Sequence, residues 1–432
     1  MTAPNTPFDT GTGYGRPASS YDPRLTDPCP GTPMGEAMRR YWHPIAISST
    51  LTSDRPHRTR LLGEDLIVFR DGNGRAGVVF ERCAHRGTSL SFGRIEDDGI
   101  RCCYHGMKFD TQGHCLEQAC EPERGRRRDA IRQPWYPVEE RYGLVFVYMG
   151  PPDRKPALPR YDFFEPLEEG DVYVTELPIP GAGVVGAVSE WNWLQSFENA
   201  VDPVHAMWLH HAHSGPQFAG TGTTGFPEDY FDPYTCSGKI KYSKTERGVK
   251  YHDWFEGIRS DGTFGGIDWV VEVQVPNLIV LPDFVHVVPN QRHDCIIWLV
   301  PVDNTTHRFF TAMRAPAATA FERLMRLLAG ALQDGRMSFE LTPEELQRFP
   351  GDFEAQGSQG PVTQHSEENL VSSDRGVVML RSMLRQMVDD VEAGKDPLNV
   401  SFDPNEIRGT ESGVYSLYDE DAAREPTPVA GA

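Results

Sequence analysis

The chain has 432 residues, beyond the usual reach of one hydrophobic core, so two domains are expected. Its 42 basic and 62 acidic residues give a net charge of −20, which argues against a nucleic-acid partner because counterion release needs a basic stripe. At 39% hydrophobic it can fill sizeable cores, but no run of about eighteen apolar residues exists, which excludes a membrane-spanning helix.

Residues 1–33 are rich in Gly, Pro, Thr and Ser and are expected to form an extended arm. The start, MTAPNTPFDTGTGYG, lacks the cationic and apolar stretches of an export signal, which points to a cytoplasmic protein. GTGYG at 11–15 is not a G-x-G-x-x-G between strand and helix, so this chain is expected to bind neither flavin nor nicotinamide. A helix is predicted over 34–43, with Thr32 as cap, Pro33 in the first turn, and Met34, Met38 and Trp42 on one face. From 44 to 150 short apolar runs alternate with turn signals such as Asp71-Gly72-Asn73-Gly74, the pattern of a small all-β domain. PPDRKPALPRYD at 151–162 reads as a linker. Over 163–415 a helix near 187–212, strands through 240–313 and helices at 317–348 and 375–393 make an α+β domain. Residues 416–432 are expected to be a flexible tail.

Five of the eight cysteines lie between 83 and 120. In a reducing compartment such clustering points to metal rather than to disulfides. Cys83-x-His85 and Cys102-x-x-His105 are separated by sixteen residues, and each short loop offers one thiolate and one imidazole. Zinc fingers usually group Cys with Cys and His with His. The interleaved order suits a binuclear cluster, with two cysteines on one iron and two histidines on the other; it resembles the Rieske [2Fe–2S] motif. Gly87 and Gly106 follow the histidines, where the backbone must fold tightly, and Tyr104 could offer its hydroxyl to a cysteine sulfur. Cys103 competes with Cys102 by one position, and a zinc site is the competing chemistry. The remaining cysteines read as small buried hydrophobes.

A second constellation, ENAVDPVHAMWLHHAH at 198–213, carries Asp202, His205, His210 and His211. His205 and His210 are about 140° apart on a regular helix, so they can share a metal only where the helix bends or ends. With a carboxylate they would form the facial triad of non-haem Fe(II) oxygenases. Here the chain resembles the large subunit of the Rieske non-haem iron oxygenases, in the branch of phthalate and phenoxybenzoate dioxygenases. The match rests on GTPMGEAMRRYWHP at 31–44, the two Cys/His loops, Asp202/His205/His210, and GDFEAQGSQGPVTQHSEENLVSSDRGVVMLR at 351–381.

That resemblance implies a catalytic domain of helix-grip type around a central antiparallel sheet. It also implies one [2Fe–2S] cluster on Cys83, His85, Cys102 and His105, and a mononuclear Fe(II) on His205, His210 and Asp352. His211 is the alternative to His210; Asp389 or Asp390 is the alternative to Asp352. Asp202 is implied to join cluster His105 of one subunit to His205 of its neighbour, hence a homotrimer or a multiple of it. Electrons are implied to come from an NAD(P)H-dependent flavin/iron–sulfur reductase, with or without a ferredoxin between. The implied chemistry is O2-dependent hydroxylation or O-demethylation of an aromatic acid, whose carboxylate would want a cation such as Arg292, Arg308 or Arg314. His286 is a further pocket candidate. An electron-transfer or redox-sensing subunit without oxygenase chemistry is the competing reading.

Overall fold

The computed structural model describes residues 17–175, 187–215, 240–258, 264–282, 294–318 and 341–416. The N-terminal segment begins with a short helix, α1 (Pro23–Thr26), and Thr32 then caps α2 (Pro33–Met38), its hydroxyl accepting from Gly35 N at 3.0 Å. The second helix ends five residues short of its predicted boundary. Trp42–Ile47 is already a strand, because Pro44 holds its predecessor in extended backbone and the β-branched residues after it favour a sheet.

Three antiparallel sheets make the small domain. Glu64–Arg70 lies between His57–Leu61 and Ala76–Phe80; a second sheet runs Arg94–Glu96, Gly99–Arg101, Met107–Phe109, Cys115–Gln118 in order; Trp42–Ile47 pairs with Leu144–Tyr148, which pairs with Val138–Arg141. A separate apolar core, including Ile67, Phe69, Leu90, Ile100 and Phe109, lies between the first two sheets and reaches Cys83 and Cys102. Residues 151–162 connect the domains in close contact with both. Trp42 Nε1 donates to Pro156 O at 2.9 Å, and Arg160–Tyr161 pairs with Ile407–Arg408.

The larger domain is built on an antiparallel sheet in the order Asp171–Val174, His307–Pro316, Asp294–Pro301, Leu278–Pro282, Phe264–Gln274, Gly248–Ile258, Lys241–Lys244. Strand alternation divides its side chains between two faces. Gln274, Leu278, Trp298 and Phe310 share one face in register, and Trp298 meets Phe146 and Tyr161 at 5.6 and 6.5 Å between ring centroids. That face therefore packs on the small domain and its connector. Ile279, Ile297 and Thr311 alternate to the opposite face, as does His307, whose Nδ1 bonds to Trp191 O at 2.8 Å. The helices cover this second face.

The predicted helix over 187–212 is instead several pieces. Val188–Ser189 pairs with Arg308 and His307; Asn192 caps α3 (Trp193–Asn199); Asp202 and Pro203 start α4 (Pro203–Met207). Pro203 cannot continue the earlier helix, and the Asp202 carboxylate accepts Val204 N at 3.0 Å to begin the new one. Of the predicted 317–348 helix, residues 319–340 lie outside the described residues, and the end forms α5 (Pro343–Arg348). A short helix, α6 (Asp352–Gly357), precedes the long α7 (Arg375–Glu392), which buries Leu380, Leu384, Met387 and Val388. Among the described residues no helix is long and apolar enough to cross a membrane.

Two contacts lock α3 to α7. A Cβ on Gly376 would stand 2.6 Å from Val201 O, so only glycine permits this approach. Arg381 donates to Glu198 at 2.5 and 2.7 Å and to Glu368 at 2.6 and 2.8 Å, all three groups being largely buried. Replacing Arg381 by Met strands two buried carboxylates and should cost about 3–5 kcal/mol, read as a lowered denaturation midpoint.

Candidate metal centres

The two Cys/His loops are built alike. Cys83 N donates to Thr88 O at 2.9 Å and Gly87 N donates back to Cys83 O at 2.9 Å; Cys102 N donates to Met107 O at 2.8 Å and Gly106 N to Cys102 O at 3.2 Å. The same bonds thus close around Cys83 and Cys102, with Gly87 at φ +76° and Gly106 at φ +70° where a side chain would be strained. Cys103 falls outside this pattern and is exposed, whereas Cys83 and Cys102 are each 3% exposed. Burial, with the facing Cys102 adding to it, pushes the Cys83 thiol up to about 12. Thiolates in such a pocket need a cation, which iron would supply.

The histidines stand outward from the thiols. The His85 and His105 rings are 4.6 Å apart between centroids at 74°. Burial first, then His85, holds His105 below its ordinary value. The four donors do not converge as one tetrahedral ion would require: among the described residues, the group of three or more donors within 4.8 Å lies elsewhere. The Tyr104 ring packs 3.8 Å from His105 beneath the Arg86 guanidinium and is 58% exposed, so the expected contact with a cysteine sulfur is not made. Sequence reasoning missed Gln133. Fully buried, it accepts Ala84 N at 2.7 Å and donates to Phe80 O and Arg82 O at 2.7 and 3.0 Å, clamping the first loop to its strand.

The group within 4.8 Å is His205, His210 and Asp352. The bend that His205 and His210 require is a π turn: α4 ends and Trp208–His213 winds more widely, with Ser214 N reaching Leu209 O at 3.2 Å. His205 Nε2 lies 3.5 Å from Asp352 Oδ1, and His210 Nε2 lies 3.3 Å from Asp352 Oδ2. Bonds of about 2.0–2.2 Å at right angles require donors about 3 Å apart, so the set fits one ion. Burial raises the Asp352 carboxyl, but His210 and then His205 outweigh it and hold the group well below the usual carboxylate range.

His205 Nδ1 donates to the Asp202 backbone carbonyl, which leaves the lone pair on Nε2. Asn199, part of the same stretch of sequence but given no role from it, donates to Asp352 Oδ1 at 3.1 Å, and its amide nitrogen stands 3.1 Å from His205 Nε2. The Asp202 carboxylate stands 4.0 Å from His205 Nδ1. Asp352 is brought there by the α3–α6 contact, in which Gln195 donates to Gln356 O at 2.9 Å and Ser196 to Gln356 Oε1 at 2.5 Å. Asp389 pairs with Arg24 at the surface, and Asp390 accepts from Gln386, so neither joins the histidines. The side chain of His211 lies outside the description, as do Arg292 and His286. Arg308 and Arg314 lie on the face opposite the triad, bonded to Thr59 and to Glu168 and Asp171, and so do not serve as the expected substrate cations.

Known proteins classify this arrangement. The Rieske [2Fe–2S] domain family matches residues 41–135. The chain is 42% identical over 95% of both chains to the phenoxybenzoate dioxygenase subunit alpha of Ectopseudomonas oleovorans. It is 38% identical to the tert-butanol monooxygenase/tert-amyl alcohol desaturase oxygenase subunit of Aquincola tertiaricarbonis, covering 85% of this chain and 76% of the relative. Its fold resembles the reduced oxygenase–ferredoxin complex of carbazole 1,9a-dioxygenase, with TM-score 0.54, 21% identity, and 81% and 89% of the two chains covered. The chain therefore belongs to the Rieske non-haem iron oxygenases, as an oxygenase subunit.

Gln133→Leu keeps the volume but leaves three backbone groups around the first loop unpaired. Each buried loss is worth about 1–3 kcal/mol, so the thermal midpoint should fall, with earlier loss of the cluster's visible absorption.

Proposed function

We propose that the chain is the terminal component of a multicomponent oxygenase, with Cys83 and Cys102 holding one iron of a [2Fe–2S] cluster and His85 and His105 the other. His205, His210 and Asp352 then hold a mononuclear Fe(II). The observation that carries this reading is the convergence of two imidazoles and one carboxylate from distant parts of the chain. When bound, the two groups supply one-electron storage and the reductive use of O2 on a substrate.

The protein's own residues do the positioning. Asp202, through its carbonyl, orients His205; Asn199 orients Asp352; the three donors would hold the ion, which would supply the chemistry on O2. The Asp202 carboxylate is 28% exposed, which supports the further role of meeting His105 of a neighbouring copy in a head-to-tail homotrimer. Electrons enter from an NAD(P)H-dependent flavin/iron–sulfur reductase. The ferredoxin in the carbazole dioxygenase complex supports a carrier between them. An aromatic substrate, hydroxylated or O-demethylated, agrees with the phenoxybenzoate relative. A reducing, cytoplasmic setting suits the free thiols.

Iron analysis should give three irons per chain for this oxygenase and two for a bare electron carrier. His210→Ala should lower the count to two, spare the cluster absorption and abolish substrate-dependent oxygen uptake. Asp202→Asn should keep all three irons yet slow turnover by about 10–100-fold, with the reduced cluster's paramagnetic signal persisting in air. Cys102→Ser should remove the cluster while Cys103→Ser leaves it. A panel of benzoates, phthalates and methoxybenzoates with a surrogate reductase tests the substrate class; formaldehyde release marks demethylation.

A further inference from the structure

One carboxyl on the helix-covered face of the sheet has no evident structural use. Asp253 stands within the strand Gly248–Ile258 and is 3% exposed, and its Oδ1 is buried without a hydrogen-bond partner. The alternation Val249, Tyr251, Asp253 continues across the register through Trp269, Val271 and Val273 to Ile279, Ile297 and Thr311. This is the face on which the triad's helices lie. An unpaired buried carboxyl costs stability, and native proteins rarely keep one unless a ligand, ion or water answers it.

The surroundings suggest what answers it. Trp269, Leu281, Cys295 and Phe309 sit on the same face of central strands and, though packed against the core, are only partly buried. Tyr251 packs 6.3 Å from Tyr242, whose ring abuts Gly376, and Gly376 in turn abuts Val201, next to Asp202. The described strands turn no arginine to this side, and Lys244 is exposed at the sheet's edge. Burial first, with Asp268 adding to it, pushes the Asp253 carboxyl well above the usual carboxylate range.

We propose that Asp253 is a specificity-determining residue, the one acidic anchor among the described strands on a largely apolar face that meets the substrate, accepting a hydrogen bond from an uncharged hydroxyl or N–H of the substrate. This rests on the oxygenase reading above. No other carboxylate faces this side on the described strands, and the apolar floor beside it suits the body of an aromatic or branched hydrocarbon.

The test uses the anaerobic holoprotein and a matched pair of probes, 3-phenoxybenzyl alcohol and 3-phenoxytoluene, with binding followed by calorimetry. The wild type should bind the alcohol at least about tenfold more tightly, as expected of a buried hydrogen bond. Asp253→Asn should keep most of that preference; Asp253→Leu should erase it while changing the toluene's affinity less than about threefold. The ligand-free Asp253→Leu protein should also melt higher, because a costly orphan has gone. Equal affinities in the wild type, no binding of either probe, an undiminished preference in Asp253→Leu, or a lower melting point in that variant would overturn the assignment. Iron counted in the same samples separates the two readings: failure of the anchor leaves three irons per chain, and failure of the oxygenase reading leaves two.

Discussion

A carboxylate held between two imidazoles inside a protein is stable only while every atom around it is fixed. Asp352 meets that condition because α6 is bonded to α3 through Gln195, Ser196 and Gln356, and α3 is in turn fastened to α7 by Arg381 and by the close approach at Gly376. Loosening any of these contacts moves a negative charge away from the two rings that hold it ionised. The helix side of the large domain is organised around that one placement.

The small domain solves a related problem by repetition. Two loops with the same backbone bonds turn their cysteines inward to an apolar core and their histidines outward. Buried thiols favour a metal over solvent, while the imidazoles remain at the surface, where another molecule can approach. The separation of donors by burial suits a cluster that must be both protected and reached.

The central sheet keeps these two regions apart. One face buries Trp298 and Phe310 against the small domain; the other supports the triad and Asp253. Arg308 and Arg314 belong to the first face, where Arg308 reaches Thr59 of the small domain and Arg314 pairs with Glu168 and Asp171 of its own domain. Within one copy the sheet stands between the small domain and the helices that carry the triad.

Much of the site was legible in the linear order of residues because its donors come in short, chemically unusual groups. Cys83-x-His85 and Cys102-x-x-His105 mark themselves by type and spacing alone, since residues on one loop are close by covalent connection. The α+β character and the small β domain followed from periodicity for the same local reason. Pairings across the chain were different. Nothing near Gln133 announces that it will clamp the first loop, and no spacing rule says that Asn199 will bond to Asp352 or that Arg308 will turn away from the triad. Even the meeting of His205 with His210 waited on a π turn that regular helix geometry does not supply. Local sequence determines which atoms can bind a metal; which of them share one, and which face of a strand a charge occupies, is set by long-range packing and register.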